Sequence, residues 1–598
     1  MTDLPRWDLS NVYPSLESEE FKNATADLKR RADAFDHFLD EHRVSRSNTG
    51  ATLRDATLIT EEYLNAMNPT LRLYSTLNAY VSSFVTTDSF NTLAKKRESE
   101  LEIVAIRLRK QEIKFQGWLG TAVAFLPQVI EQSSVARDHA FHLREVAEQS
   151  RYMMSEAEES LAAELELSGG NAWSKLQGTV SSQITVDFEL DNKLEKMPIT
   201  ALQNLRHHPN GDVRRRAYEA ELAAWESVRE PIAAALNGVK GSMSTLDKRR
   251  GRRDALHSSL DHARIDRETL ETLLRVMENS FPIFRTYFKA KAKRFGNKAL
   301  PWWDLFAPVG KSQRHFTWDE ARTFILTQFR TFSDRLAQLA QRAFDSRWID
   351  AEPRKGKRGG AFCMEVPGVD ESRVLCNFDG SPDQVSTVAH ELGHAFHNFC
   401  QVGKTMLQAI TPMTLAETAS TFNEIIVANA ALAEAQSTEE KLVILESQLI
   451  NASQIVVDIS SRFRFEKEVF ERRVASELSA DDFCEIMLRC QRATYGDGLD
   501  ERYLHKYMWA WKPHYYIPSL SFYNYPYAFG LLFGTGLYAT YKERGPSFVK
   551  DYEALLSNTG EATPADLAAR FGIDIRKPHF WESSLKMIEG QIQQYLKL

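Results

Sequence analysis

Helical periodicity of apolar residues runs through most of the chain and breaks at a few definite points. From about Leu16 to Gln132 helix formers continue with few glycines or prolines, as in Ala94-Lys-Lys-Arg-Glu-Ser-Glu-Leu-Glu-Ile-Val-Ala-Ile-Arg-Leu108. That pattern predicts antiparallel helices gathered in a bundle-like lobe. A second helical stretch, Val135 to Leu167, meets the breaker Ser168-Gly-Gly170. Val180 to Leu190 then alternates and is rich in β-branched residues, so a short strand or hairpin is expected. The change of pattern divides the chain into an expected helical lobe, 1–190, and a larger domain, 191–598, in which helices resume from Ile199.

Two short extended segments, Gly359 to Glu365 and Ser372 to Phe378, are separated by Pro367-Gly368 and predict a hairpin. A helix follows. Ser381-Pro-Asp-Gln supplies a helix start, and Val385, Val388, Ala389, Leu392, Ala395, Phe396 and Phe399 recur with helical spacing. Within that helix His390, Glu391 and His394 spell H-E-x-x-H. Residues four apart share one helix face, so both imidazoles can reach one cation, and Glu391 lies beside the metal rather than on it. There it can take the proton of the attacking water.

Two histidines leave a catalytic zinc site short of a third protein ligand. A metzincin needs Gly at 397 and His at 400, where this chain has His397 and Cys400. The other common solution is a carboxylate on a second helix, and Leu415-Ala-Glu-Thr-Ala-Ser-Thr-Phe-Asn-Glu424 offers one. Glu417 is the expected ligand, the first helix ending near Val402-Gly403 and the returning helix starting near Thr414. Glu424, two turns beyond on the same face, is expected to orient a histidine rather than bind metal.

The densest aromatic run is Tyr507 to Gly530, and its three prolines make it a bent loop rather than one helix. Imidazole and phenol groups suit stabilisation of the oxyanion formed when water adds to a peptide carbonyl. Composition adds only bounds. Hydrophobic residues at 43%, charged residues at 26% and a net charge of -7 are ordinary for a globular chain and leave no nucleic-acid footprint. Lys248-Arg-Arg-Gly-Arg-Arg253 is read as a solvated run, His207-His208-Pro209 as a surface turn, and Pro301 to Pro308 as an aromatic packing connector. Ala528 to Tyr538 is too short to span a bilayer, so no membrane partner is expected. Met1-Thr-Asp-Leu-Pro-Arg-Trp has no apolar core of a leader, and five cysteines without a C-x-x-C pair suit reduced thiols, so the cytoplasm is the expected location. No Walker motif or G-x-S-x-G is present.

Lys357-Arg-Gly-Gly-Ala-Phe-Cys363, Thr387 to His397, Leu415-Ala-Glu-Thr-Ala-Ser420 and Pro513-His-Tyr-Tyr516 together resemble the oligoendopeptidase F branch of the M3, thimet oligopeptidase-like, metallopeptidases. The resemblance begins at Trp7-Asp-Leu-Ser-Asn and keeps its spacing between blocks. It implies a mostly α, two-lobed, neurolysin-like zincin fold with a small sheet beside the H-E-x-x-H helix and an active site in a channel between lobes. It implies one Zn2+ per chain on His390, His394 and Glu417, with Glu391 as base and short unstructured peptides as substrates. It assigns the oxyanion donors to His514 and Tyr527, with Tyr516, Tyr523 and Tyr525 as alternatives and substrate contacts. It puts Gly360-Ala361 on a strand edge that receives an extended peptide. Two rivals stand beside this reading: a zinc carboxypeptidase or dipeptidase of similar build, and a non-enzymatic helical scaffold with a structural zinc. Oligomeric state is undetermined by the sequence.

Overall fold

The first three long helices each start on a side-chain cap. Glu19–Glu41 begins at Ser18, whose hydroxyl accepts from the Phe21 N–H at 3.2 Å, and buries Phe21, Leu28, Ala32, Phe35 and Leu39 along one stripe. Leu53–Thr87 opens with a capping box between Thr52 and Asp55, and Thr92–Thr121 starts on Asn91. These three helices pack together around two apolar clusters. In one, Tyr63 stacks on Phe115 with ring centroids 3.7 Å apart beside Trp118; in the other, Tyr80, Phe21 and Leu101 close the interior.

The computed structural model describes residues 4–310 and 314–598, so the first three residues of the leader expectation lie outside the described residues. The chain forms two compact units, each assembled from three separate segments. The first comprises Met1–Glu156, Arg314–Ala430 and Thr540–Phe571; the second comprises Ala157–Gln313, Ala431–Ala539 and Gly572–Leu598. The boundary expected near residue 190 falls inside the second unit.

In the second unit, Gly211–Arg249 starts on Asn210 and runs for 39 residues against Gly170–Gln183. That partner helix replaces the first part of the expected strand, because Ser168-Gly-Gly ends one helix and starts the next. Packing decides it. Trp173 fills the space left by Gly238, where an added Cβ would come within 2.4 Å of the indole. The strand proper is Thr185–Leu190, paired antiparallel with Lys193–Pro198 across Asp191 and Asn192, which take φ 50° and 62° as a tight two-residue hairpin demands. Thr438–Arg473 is long and apolar enough by composition to cross a membrane, but 56% of its apolar window is buried within the protein.

The first unit holds the small sheet. Phe362–Val366 pairs antiparallel with Glu371–Leu375, which pairs in parallel with Ile349–Asp350, so Phe362–Val366 is an edge strand. The helix Pro382–Cys400 packs on both strands of the hairpin. Among the described residues the only other sheet is the two-stranded hairpin, and the fold is mostly α.

Candidate functional site

The helix Pro382–Cys400 forms as its sequence dictates, with Ser381 accepting from the Gln384 N–H at 3.3 Å, Pro382 in the first turn and Asp383 beside it. Val385, Val388, Ala389, Leu392, Ala395 and Phe396 are buried, which turns His390 and His394 to the opposite face. The helix stops at Cys400, and Gly403 takes φ +93° in the turn that follows, a value glycine adopts without a Cβ clash. His397, one turn past His394, is no ligand. It is buried, shares a 2.8 Å hydrogen bond with the Thr559 hydroxyl, and burial pushes its imidazole down to about 4.

The third candidate ligand arrives from a break in the chain rather than from a helix interior. Glu417 sits at the junction of Met413–Ala416 and Thr418–Glu434, at φ -88° and ψ 6°. Its Oε2 lies 3.3 Å from His390 Nε2 and 3.4 Å from His394 Nε2. One ligand atom from each of the three residues falls within 4.8 Å of the others. Glu424 approaches His390 from the other ring nitrogen, accepting from Nδ1 at 3.3 Å. Glu424 thus engages Nδ1 and leaves Nε2 as the nitrogen turned to Glu417, the one a metal would take on displacing its proton.

Two residues that sequence reading passed over explain the convergence. Gly393, between Glu391 and His394, lets the segment after Glu417 press against the helix. A Cβ there would stand 2.5 Å from the Ala419 carbonyl oxygen and from the Ser420 Cα. Ser420 donates its hydroxyl to Glu417 Oε2 at 2.9 Å and fixes the carboxylate's rotation. Both signals stood in the sequence, a glycine inside the motif and a serine three past the ligand, but neither has meaning until the two segments touch.

Burial raises the Glu417 carboxyl, yet the His390 and His394 imidazoles bonded to it outweigh burial and hold it far below the usual range. Burial lowers His390, and Glu417 and Glu424 together carry it up to about 10. Glu391 behaves differently. Burial pushes its carboxyl upward, His390 and His394 pull it down, Glu417 pushes up again, and the net direction is up. It is 6% exposed and its Oε2 has no hydrogen-bond partner, an arrangement that suits a base awaiting a proton donor. Two imidazoles and a carboxylate with an unbonded carboxylate alongside fit a catalytic divalent metal.

Gly360 and Ala361 stand just before the edge strand Phe362–Val366 rather than within it. Gly360 takes φ +80°, and its carbonyl accepts from Asn377 Nδ2 at 2.9 Å. Lys357 anchors this approach. Its ammonium donates to the carbonyls of Asp350, Glu352 and Cys376 at 3.0, 3.0 and 2.6 Å and pairs with the Asp350 carboxylate at 2.7 Å.

In the second unit the aromatic run separates its tyrosines by environment. Tyr516 is buried and donates to the Trp509 carbonyl at 3.1 Å; Tyr525 is buried and donates to the Ser259 carbonyl at 3.0 Å. Those hydroxyls, expected among the substrate contacts, are engaged by the protein's own carbonyls. Tyr523 and Tyr527 are half-buried, and both rings gather on His514. Centroid distances are 4.8 Å for His514 to Tyr523, 6.1 Å for His514 to Tyr527 and 5.3 Å between the two tyrosines. Burial, with Arg462 and Lys512 nearby, pushes His514 down to about 4, so at neutral pH it is an uncharged ring with one N–H to donate.

With the geometry in hand, the comparisons with known proteins are specific. The profile of peptidase family M3 matches residues 204–587, and that of oligopeptidase F matches residues 125–185. Group B oligopeptidase PepB of Streptococcus agalactiae is 22% identical over 530 residues, 86% of each chain. Oligopeptidase PepF of Bacillus subtilis is 22% identical over 478 residues, 79% of this chain and 71% of its own. Among solved structures, oligoendopeptidase-F from Enterococcus faecium shares the fold with a TM-score of 0.67 at 16% identity, covering 97% of this chain and 98% of its own. Metallocarboxypeptidase 1 of Trypanosoma cruzi shares it more loosely, with a TM-score of 0.55 at 11% identity over 88% and 98%. A family profile spanning well over half the residues, laid over a His-His-Glu cluster with an adjacent buried glutamate, settles the assignment: the chain belongs to peptidase family M3 and is a metallopeptidase.

Proposed function

We propose that the chain is a zinc-dependent oligoendopeptidase that cuts internal bonds of short unstructured peptides. The observation that carries it is the convergence of His390, His394 and Glu417 beside the buried, unbonded Glu391 Oε2. Zinc, when bound by those three side chains, polarises a peptide carbonyl and brings the acidity of water near neutrality. Glu391 takes the proton of the attacking water and passes it to the leaving amine. Glu424, bonded to His390 Nδ1, keeps that imidazole in its ligating tautomer and orientation. The edge strand Phe362–Val366 offers backbone groups for pairing with an extended peptide, and Gly360 leaves open space where a side chain would intrude. His514 with Tyr523 and Tyr527 supplies donors to the oxyanion, a role supported by the resemblance and by their clustering. Relatives named oligopeptidases support short peptides as the substrate class, and the unpaired thiols support a reducing compartment such as the cytoplasm.

A second reading, a carboxypeptidase, is favoured by the fold shared with the Trypanosoma cruzi metallocarboxypeptidase. A scaffold with a structural metal has no use for a buried carboxylate with an unsatisfied oxygen, which costs stability. Mass spectrometry of a mixed peptide library incubated with and without chelator separates the readings. Internal cuts that vanish with chelator support the endopeptidase; release of terminal residues alone overturns it.

A further inference from the structure

The second unit contains a buried ion pair whose free oxygen is spent on the aromatic loop. Lys240, on the helix Gly211–Arg249, and Glu466, on the helix Ile459–Arg473, are each 1% exposed, and the ammonium lies 2.7 Å from Glu466 Oε1. Glu466 Oε2 accepts from Asn524 Nδ2 at 2.9 Å. Asn524 then turns its other side-chain atom back on the chain, Oδ1 accepting from the Tyr525 N–H at 2.7 Å, while its carbonyl accepts from the Tyr527 N–H at 3.1 Å. Its own N–H donates to the Phe522 carbonyl at 2.7 Å. Phe522 takes φ +54°, a left-handed conformation unfavourable for a bulky residue, and is held there by packing on Phe463 and Phe470 with centroids 5.3 and 5.6 Å away.

We infer that Asn524, clamped by the buried Lys240–Glu466 pair, is the positioning residue that sets the Tyr523 and Tyr527 hydroxyls beside His514. Buried ion pairs are poor sources of stability, and their best-attested use is to fix one arrangement among several. Here the pair gives Asn524 a single rotamer, Asn524 fixes both the residue before it and the helix start after it, and the two half-exposed tyrosines flank it on either side. Tyr525, pinned by Ser259, takes up the intervening position and keeps the alternate side chain inside. A donor displaced by about 1 Å loses on the order of 10²-fold in rate, so the clamp acts on turnover rather than on substrate capture.

The inference rests on reading His514, Tyr523 and Tyr527 as transition-state donors, and the experiment keeps the two apart. Full-length metal-loaded enzyme is compared with Asn524→Ala, with Lys240→Met/Glu466→Leu, with Tyr523→Phe and Tyr527→Phe, and with both tyrosine changes together. Kinetics on a short peptide are accompanied by metal content and thermal midpoint. The paired Lys240→Met/Glu466→Leu change leaves no unpaired buried charge, whereas Glu466→Ala alone would strand the Lys240 ammonium. Asn524→Ala and the paired variant are expected to lower kcat about 10²-fold with KM within about threefold and metal content unchanged. Added to the double tyrosine variant, Asn524→Ala is expected to cost less than about threefold more, because its effect runs through hydroxyls already absent. If either tyrosine change lowers kcat while Asn524→Ala keeps it, the positioning role falls and the donor reading stands. If Asn524→Ala multiplies fully with the double tyrosine change, its effect is general and the positioning role falls. If both tyrosine changes keep wild-type kcat, the donor reading falls and takes this inference with it.

Discussion

The metal centre and the aromatic loop are built from equally recognisable side chains but on opposite principles. At the candidate metal centre His390 and His394 share one helix face, so a local repeat carries most of the geometry, and a single close approach at Gly393 brings Glu417 to them. In the aromatic loop the residues lie within a few positions of one another, yet their neighbours in sequence are not their partners in space. Tyr525 answers to Ser259 and Asn524 to Glu466, and burial assigns each ring its job. A periodic element exposes function to sequence reading; an aperiodic one hides it behind long-range contacts.

The contrast can be broken at its strongest point first. Glu417→Ala removes one of three ligands and is expected to lose most bound metal and bring peptide cleavage to background, measured by metal analysis beside activity. Equal metal in variant and wild type would show that the converging carboxylate is not a ligand. Glu391→Gln is expected to keep the metal while turnover falls about 10²–10⁴-fold, the range of general acid–base catalysis. Near-normal turnover would remove Glu391 from the mechanism.

The loop side sharpens through its tyrosines. Tyr523→Phe or Tyr527→Phe is expected to lower kcat and kcat/KM together about 10²–10³-fold, since a donor met only at the transition state acts on both. Tyr516→Phe and Tyr525→Phe are expected to leave kcat within a few-fold and to show instead as a lowered thermal midpoint, each leaving a buried carbonyl short of a donor at about 1–3 kcal/mol. The reverse pattern would sink the sorting by burial. Glu424→Ala is expected to weaken metal affinity about 10–100-fold while leaving the metal bindable, as loss of a histidine's orienting partner does.

Much of the metal centre was legible because helices report themselves locally. The cap at Ser381, the buried stripe from Val385 to Phe396 and the stop before Gly403 follow from spacing and backbone freedom, and the histidines follow from the stripe. The hairpin before it was legible too, since Pro367-Gly368 separates two short extended runs. The break at Glu417 was not. A run of good helix formers reads as one helix, and only contact with the Gly393 surface shows where the backbone leaves helical geometry. Val180–Gln183 misled for a related reason: the β-branched alternation that follows from Ile184 favoured a strand from Val180 on, whereas the helix Gly170–Gln183, which packs along Gly211–Arg249, runs through it.

By itself the sequence determined the elements whose information lies within one or two turns: the helices, their caps, the H-E-x-x-H face and the candidate third carboxylate. Tertiary structure decided what depends on residues tens or hundreds of positions apart. It decided which nitrogen of His390 each glutamate meets and which tyrosines are fully buried. It decided that each compact unit is assembled from three segments, a division no single linker could mark. The physical reason is the same in each case. Backbone hydrogen bonds and side-chain periodicity are satisfied locally, whereas close approach and desolvation exist only once distant segments have met.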